Sequence, residues 1–215
     1  MLPLLGGLLV AQHASAGDPH GGHAGDVFVG VESGEIVTGL IDEDDVELHV
    51  RTFESEFGES GVPGFSDEPG WEAFPGTFDS DDRVGWNALA GLRRWNGDGF
   101  DTSIEETITV SFAGLSFEIA DTAVSGFDLA VQPDGGLHRH LGFFLDHHSG
   151  VPAVGVYLVE LELYALDQSP QSSEPFWIVF NNEADEQDHE AAVEWVEEHL
   201  ADEEHCHGDV NGDHH

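Results

Sequence analysis

The chain reads as mainly β, an antiparallel β-sandwich of jelly-roll type with one C-terminal amphipathic helix. Three observations predict it. From Asp26 onwards, about ten short apolar runs are separated by close Gly, Pro, Asn and Asp turn signals. Some alternate with period two, as in Val159-Glu160-Leu161-Glu162-Leu163. Only residues 186–200 carry the 3.6-residue apolar period of a helix.

In order, Asp26 to Glu32, Glu35 to Ile41 after Ser33-Gly34, and Val46 to Phe53 after the acidic turn Asp42 to Asp45 read as three strands joined by two hairpins, an antiparallel meander. Glu54 to Asp82 is long and irregular, with glycines and prolines interleaved with Phe57, Phe65, Trp71, Phe74 and Phe78. A loop of that length is expected to wrap the core through aromatic anchors. Val84 to Leu89 and Gly91 to Trp95 read as strands around a tight Ala90-Gly91 turn, and Asn96-Gly97-Asp98-Gly99 is a further turn. Glu105 to Ser111, Leu115 to Ala120 and Gly126 to Val131 are short strands. After Pro133-Asp134-Gly135-Gly136 the strand Leu137 to Asp146 is expected, then Gly155 to Leu166. Pro175 to Asn181 is apolar on both faces and reads as a central strand. The helix starts after Asp185 as N-cap, with Ala192, Trp195, Val196 and Leu200 on its apolar stripe; it is expected to pack on an edge or end of the sandwich.

The ends differ from the body. Residues 1–16 hold an apolar run and the small-residue pattern Ala14-Ser15-Ala16, which reads as a signal peptide cleaved near Gly17. Residues 17–25 are a Gly/His arm, residues 26–200 the sandwich domain, and residues 201–215 an acidic, histidine-rich tail expected to be disordered. Export to the periplasm, cell surface or exterior follows from that reading. One cysteine, Cys206, allows no internal disulfide. The apolar N-terminal run is too short for a membrane-spanning helix, and no other segment is a candidate.

Acidic residues number 44 against 5 basic ones, a net charge of −39, which excludes nucleic acid and anionic membrane surfaces as ordinary partners. Solubility in salt accounts for the acidity; it gives no reason for 14 histidines. The partner these point to is a metal ion, with zinc as cofactor. His138 and His140 lie two residues apart in an expected strand, hence on one face, and two imidazoles supply half of a tetrahedral zinc shell. The bland alternative is a pair of histidines on a solvated face. The pair resembles the cupin metal motif, but the carboxylate expected a few residues on comes only at Asp146, and residues 151–163 hold no second histidine. His189 lies beside the buried stripe of the helix, placed either for ligation or for a hydrogen bond to Asp185. His23, just before the first strand, folds back to complete the shell in this reading, with His20 and the His205-Cys206-His207 tail as capture groups. Asp209-Val210-Asn211-Gly212-Asp213 matches the first ligand positions of a calcium loop and then stops short, like a truncated dockerin.

There is no G-x-S-x-G context for a serine nucleophile, and carboxylate pairs cannot be picked from so many acids, so a non-enzymatic binder is expected. An open three-histidine zinc site that hydrolyses a substrate is the enzymatic alternative. Trp71, Trp86, Trp95 and Trp177 suggest the other alternative, a carbohydrate-binding or structural surface module, against the commoner explanation that such rings are core.

Taken together, the histidine-rich start, the G-x-E-x-G-x-(I/V)-x-T-G pattern near Gly30 to Gly39, Leu137-His138-Arg139-His140-Leu141, the run Gly155 to Leu163, Ser173-Glu174-Pro175-Phe176-Trp177-Ile178-Val179-Phe180-Asn181 and His189-Glu190-Ala191-Ala192-Val193-Glu194-Trp195-Val196 resemble a family of exported bacterial proteins. These are the PEP-CTERM-type surface proteins of cyanobacteria and planctomycetes, some of which are repressed by the zinc-uptake regulator. The resemblance covers most of Asp18 to Leu200. It implies expression under zinc shortage and a role in zinc acquisition or retention at the cell surface. The chain departs from it at the end, where a sorting helix is replaced by the dockerin-like stub.

Overall fold

The computed structural model describes residues 25–42, 45–102 and 104–201. It is 49% strand and 9% helical, so the mainly-β expectation holds, and the sheets do not close into a barrel. The expected signal segment, the histidine arm to residue 24 and the tail from residue 202 lie outside the described residues.

β1 (Val27–Glu32), β2 (Glu35–Asp42) and β3 (Asp45–Leu48) form the expected antiparallel meander. The expected strand Val46 to Phe53 is two strands. β3 ends at Leu48, His49 takes a φ of 66°, which breaks the ladder, and the chain restarts as β4 (Thr52–Glu56) in another sheet. The long region that follows contains β5 (Phe65–Ser66) and β6 (Trp71–Ala73). Phe57, Trp71 and Phe78 from it are buried in the main core, so it does wrap that core.

Next come β7 (Arg83–Ala88), β8 (Arg93–Trp95), β9 (Phe100–Asp101), β10 (Glu106–Phe112), β11 (Leu115–Ile119) and β12 (Val124–Ala130). The expected strand Leu137 to Asp146 is also divided, into β13 (Leu137–Arg139) and β14 (Gly142–His147). Its two halves belong to different sheets, and Leu141, 1% exposed, enters the core at the crossover. β15 (Gly155–Ala165) and β16 (Phe176–Asn182) follow, then α1 (Glu186–Val196), which continues as a π-helical turn to Ala201.

The strands make three sheets: β13-β6-β1-β2-β3, then β11-β10-β14-β5, then β12-β7-β15-β16-β4 with β8 and β9 appended. Most pairs are antiparallel; β6 on β1 and β4 on β16 are parallel. β7 and β8 both run antiparallel to β15, opposite Leu161 to Ala165 and opposite Tyr157 to Leu158. Ala90-Gly91 is therefore a kink between collinear strands and not the tight reversal expected. A Cβ on Gly91 would lie 2.3 Å from the Asp121 backbone, so the kink needs a glycine.

β16 explains why its sequence is apolar on both faces. Phe176, Ile178 and Phe180 enter the main core, while Trp177 and Val179 form a second cluster with Val156, Leu158, Ala192 and Val196 under α1. Phe180 stacks on Phe57 at 4.9 Å and lies 5.0 Å from Phe143. The helix thus covers a face of the third sheet, which corrects the expected packing on an edge or end. An apolar stripe on α1 meets apolar residues that β15 and β16 turn away from the main core. Asp185 sits at the N-cap with extended backbone but makes no side-chain cap bond. Tyr157 on β15 is fully buried and donates to the Ala153 carbonyl at 2.7 Å; burial, with the charge of Glu106 added, pushes its phenol up to about 12.

Candidate metal centre

The first sheet places an aspartate where water does not reach. Asp26, immediately before β1, is 1% exposed. The Val27 amide donates to the Gly70 carbonyl at 2.9 Å, and the Gly70 amide donates to Asp26 Oδ1 at 2.9 Å and to Glu68 Oε2 at 3.1 Å. A single N–H therefore holds two carboxylates side by side. A Cβ on Gly70 would stand 2.6 Å from His140 Cε1 and 2.8 Å and 2.9 Å from the Asp26 oxygens, so only glycine permits this approach.

His140 completes the group. Its Nδ1 lies 3.0 Å from the Asp67 carbonyl, which can only accept, and 3.5 Å from Glu68 Oε1, so Nδ1 carries a proton and in the neutral imidazole the lone pair is on Nε2. Nε2 faces Asp26 Oδ2 at 4.0 Å, and Oδ2, though buried, has no hydrogen-bond partner among the described residues. A metal-ligating histidine is held in the same way, with its far ring nitrogen on a carbonyl and its near one toward the ion. Asp26, Glu68 and His140 each offer a ligand atom within 4.8 Å of the other two. Bonds of about 2.0–2.2 Å to nitrogen and oxygen hold ligand atoms closer together than that limit, so a small inward shift of the side chains would bring all three onto one zinc ion. Partial burial raises the Glu68 carboxyl above the usual range; His140 pulls it down and the Asp26 charge pushes it up again. A cation here would favour the charged form of Glu68.

His138 stands beside this group. Its ring centroid is 5.2 Å from that of His140, so the two imidazoles are neighbours although they do not share a strand. His138 is opposite Glu72 in the β13–β6 register, with Nδ1 3.4 Å from Glu72 Oε2. Glu72 is 8% exposed, and that oxygen makes no contact of hydrogen-bond geometry among the described residues.

His189 is elsewhere. It lies on the first turns of α1 and groups with Glu56 and Glu186, not with His140. Its backbone amide donates to the Asp185 carbonyl at 3.2 Å, so the contact with Asp185 expected of the side chain is made by the main chain. His23 lies outside the described residues. Of the four imidazoles expected to share a shell, His138 and His140 are thus together and His189 is apart.

Glu68 of the first group and Glu56, Glu186 and His189 of the second line a cleft of about 430 Å³, with Glu54 and Glu59 among others. No arginine lines it. The arginines are engaged elsewhere: Arg51 with Glu174 and Ala201, Arg83 with Asp128, Arg93 with Glu160, Arg94 with Glu106, and Arg139 on the His138 and Ala130 carbonyls. Of the tryptophans weighed as a sugar platform against a core role, Trp71, Trp86 and Trp177 are core, each under 5% exposed.

The sequence reading missed Asp26, Glu68 and Glu72 as candidate ligands. One local signal existed for Asp26, a lone acid directly before the apolar run Val27-Phe28-Val29.

No family model matches the chain, and no curated protein matches it. Among solved structures it is similar to a family 123 glycoside hydrolase from Clostridium perfringens, described for glycolipid glycan hydrolysis. The identity is 12%, over 61% of this chain, with a TM-score of 0.26. The match spans 23% of that enzyme's length, and at such a score it carries no argument about fold or activity. Among the described residues, no helix is long and apolar enough to cross a membrane.

Proposed function

We propose that this protein is an exported, non-enzymatic zinc-binding protein whose principal site is Asp26, Glu68 and His140, with His138 alongside. The observation that carries the reading is Asp26: a carboxylate 1% exposed, with one oxygen on the Gly70 amide and the other, opposite His140 Nε2, without a hydrogen-bond partner among the described residues. A buried carboxylate with one oxygen unbonded is costly, and a cation is the partner that removes the cost. The nitrogen and oxygen donors suit zinc, and the surrounding carboxylates would raise the local concentration of any divalent cation. His23 precedes Asp26 by three residues, about 10 Å of extended chain, which keeps it in reach as a further ligand. Retention of zinc at the cell surface or in the periplasm is the role that fits an exported chain of this kind.

The test is zinc titration of the full chain against a competing chelator. The expected result is one tight equivalent, lost in the double variant His138→Ala/His140→Ala and in Asp26→Asn. Unchanged tight binding in both variants would refute the assignment.

A further inference from the structure

A second donor set stands at the start of α1. Glu186 and His189 are three residues apart, so their side chains are neighbours on the helix surface. Glu56 ends β4, paired in parallel with Asn181 of β16, and α1 begins four residues after β16 ends. This connection brings the first turn of the helix back over the end of β4. The three side chains each offer a ligand atom within 4.8 Å of the other two.

The acids alone would be a solvated cluster; His189 is what makes a site of them. It is 3% exposed, and its Nε2 is buried with no hydrogen-bond partner among the described residues. Glu54 Oε2 stands 3.9 Å from it, too far for a hydrogen bond. A buried imidazole nitrogen is normally satisfied, and one aimed at carboxylates without bonding them is placed as a metal ligand is placed. A glutamate and a histidine at i and i+3 on one helix, joined by a carboxylate from another element, is a donor arrangement that bundle proteins use for transition metals.

We infer that Glu56, Glu186 and His189 form a second divalent transition-metal site, separate from the Asp26 centre and weaker than it. One imidazole with two carboxylates selects the zinc, cobalt and manganese class over calcium, which takes oxygen ligands throughout. The site is weaker for two reasons. Glu186 is exposed and Glu56 only half-buried, so their charges are well hydrated, and the positive end of the α1 dipole opposes a cation at the first turn. Glu68, a ligand of the first centre, lines the same cleft as His189, so both sites draw ions from one acidic mouth. The inference extends the metal-binding reading but uses none of the ligands on which that reading depends.

The experiment is a zinc titration of the full chain in which bound equivalents and the rise in thermal midpoint are read together, repeated with cobalt(II) for its absorption bands. Zinc on an unfolded tail adds equivalents without raising the midpoint, whereas a site in the folded domain does both. In Glu56→Gln/Glu186→Gln, whose metal-free midpoint should match the parent, the weaker equivalent and its share of the midpoint rise are expected to vanish while the tight equivalent persists. His189→Gln should give the same loss. In Asp26→Asn/His140→Ala the tight step should go and the weaker one remain. If Glu56→Gln/Glu186→Gln keeps both steps and the full midpoint rise, the second site is overturned whatever the fate of the first. If instead Asp26→Asn/His140→Ala changes nothing while Glu56→Gln/Glu186→Gln loses its step, the first centre is wrong and the second stands.

Discussion

His140 Nε2 faces Asp26 Oδ2 across 4.0 Å with no hydrogen bond between them, while the other imidazole nitrogen is held 3.0 Å from the Asp67 carbonyl. The two residues lie 114 positions apart in the sequence and meet because β6 pairs with both β1 and β13. The short strand between them therefore creates the site, and Gly70, just before that strand, sets how closely the two groups can approach.

If Asp26 is kept charged for a cation, its charge should be a burden without one. Asp26→Asn preserves an acceptor for the Gly70 amide and removes the buried anion. Without metal this variant should be as stable as the parent or more so. With zinc it should lose at least the 10- to 100-fold in affinity typical of losing an outer-shell partner. Denaturant unfolding with and without zinc measures both; a metal-free loss of about 3–5 kcal/mol would instead make Asp26 a purely structural group.

Gly70→Ala tests the close approach. The new Cβ meets the imidazole and the carboxylate inside contact distance, at 2.6 Å and 2.8 Å. Overpacking of that kind costs about 1–3 kcal/mol. Zinc affinity should fall more steeply than stability does, since the displaced atoms are the ligands. Calorimetry beside denaturant unfolding checks the comparison.

Phe180 tests the layer order. It faces the main core between Phe57 and Phe143, so Phe180→Ala should lose about 3–5 kcal/mol in denaturant unfolding. Zinc bound per folded chain should not change, because the residue is absent from both ligand groups.

Tyr157 gives a dependence on pH with a definite sign. Its phenol ionises at about 12 in the folded chain and near 10 when unfolded. Below pH 10 both states hold the proton and the group is neutral to stability. Between about pH 10 and 12 only the unfolded chain releases it, so stability falls as pH rises through that window. The full loss is about 2–3 kcal/mol. Tyr157→Phe, measured by unfolding at pH 9 and pH 11, should flatten that part of the decline; an equal decline in parent and variant would mean the phenol is not held protonated.

These particulars show what could be read from the sequence. The alternation of β15, the two apolar faces of β16 and the helix stripe are local patterns set by burial, and each was legible. The nearness of His138 and His140 was legible too, since two residues of chain keep them close even where the strand breaks. The break itself was not, because it depends on Leu141 entering a core assembled from distant strands. Nor was Asp26 as a ligand. Its place directly before Val27-Phe28-Val29 was the one local hint, and among 44 acids only the pairing of β1 with β6 sets this carboxylate beside Gly70. His189 reads as lying beside the apolar stripe, whereas it is one of the buried residues of α1 with Ala192 and Val196, and its neighbours on β4 come from a crossover that no periodicity announces.

The most direct test of the central claim is anomalous diffraction at the zinc edge from crystals of the full chain grown with one equivalent of zinc. The expected result is a single strong peak within about 2.0–2.2 Å of both Asp26 Oδ2 and His140 Nε2. A peak elsewhere, with those two atoms still facing each other unbridged, would contradict it.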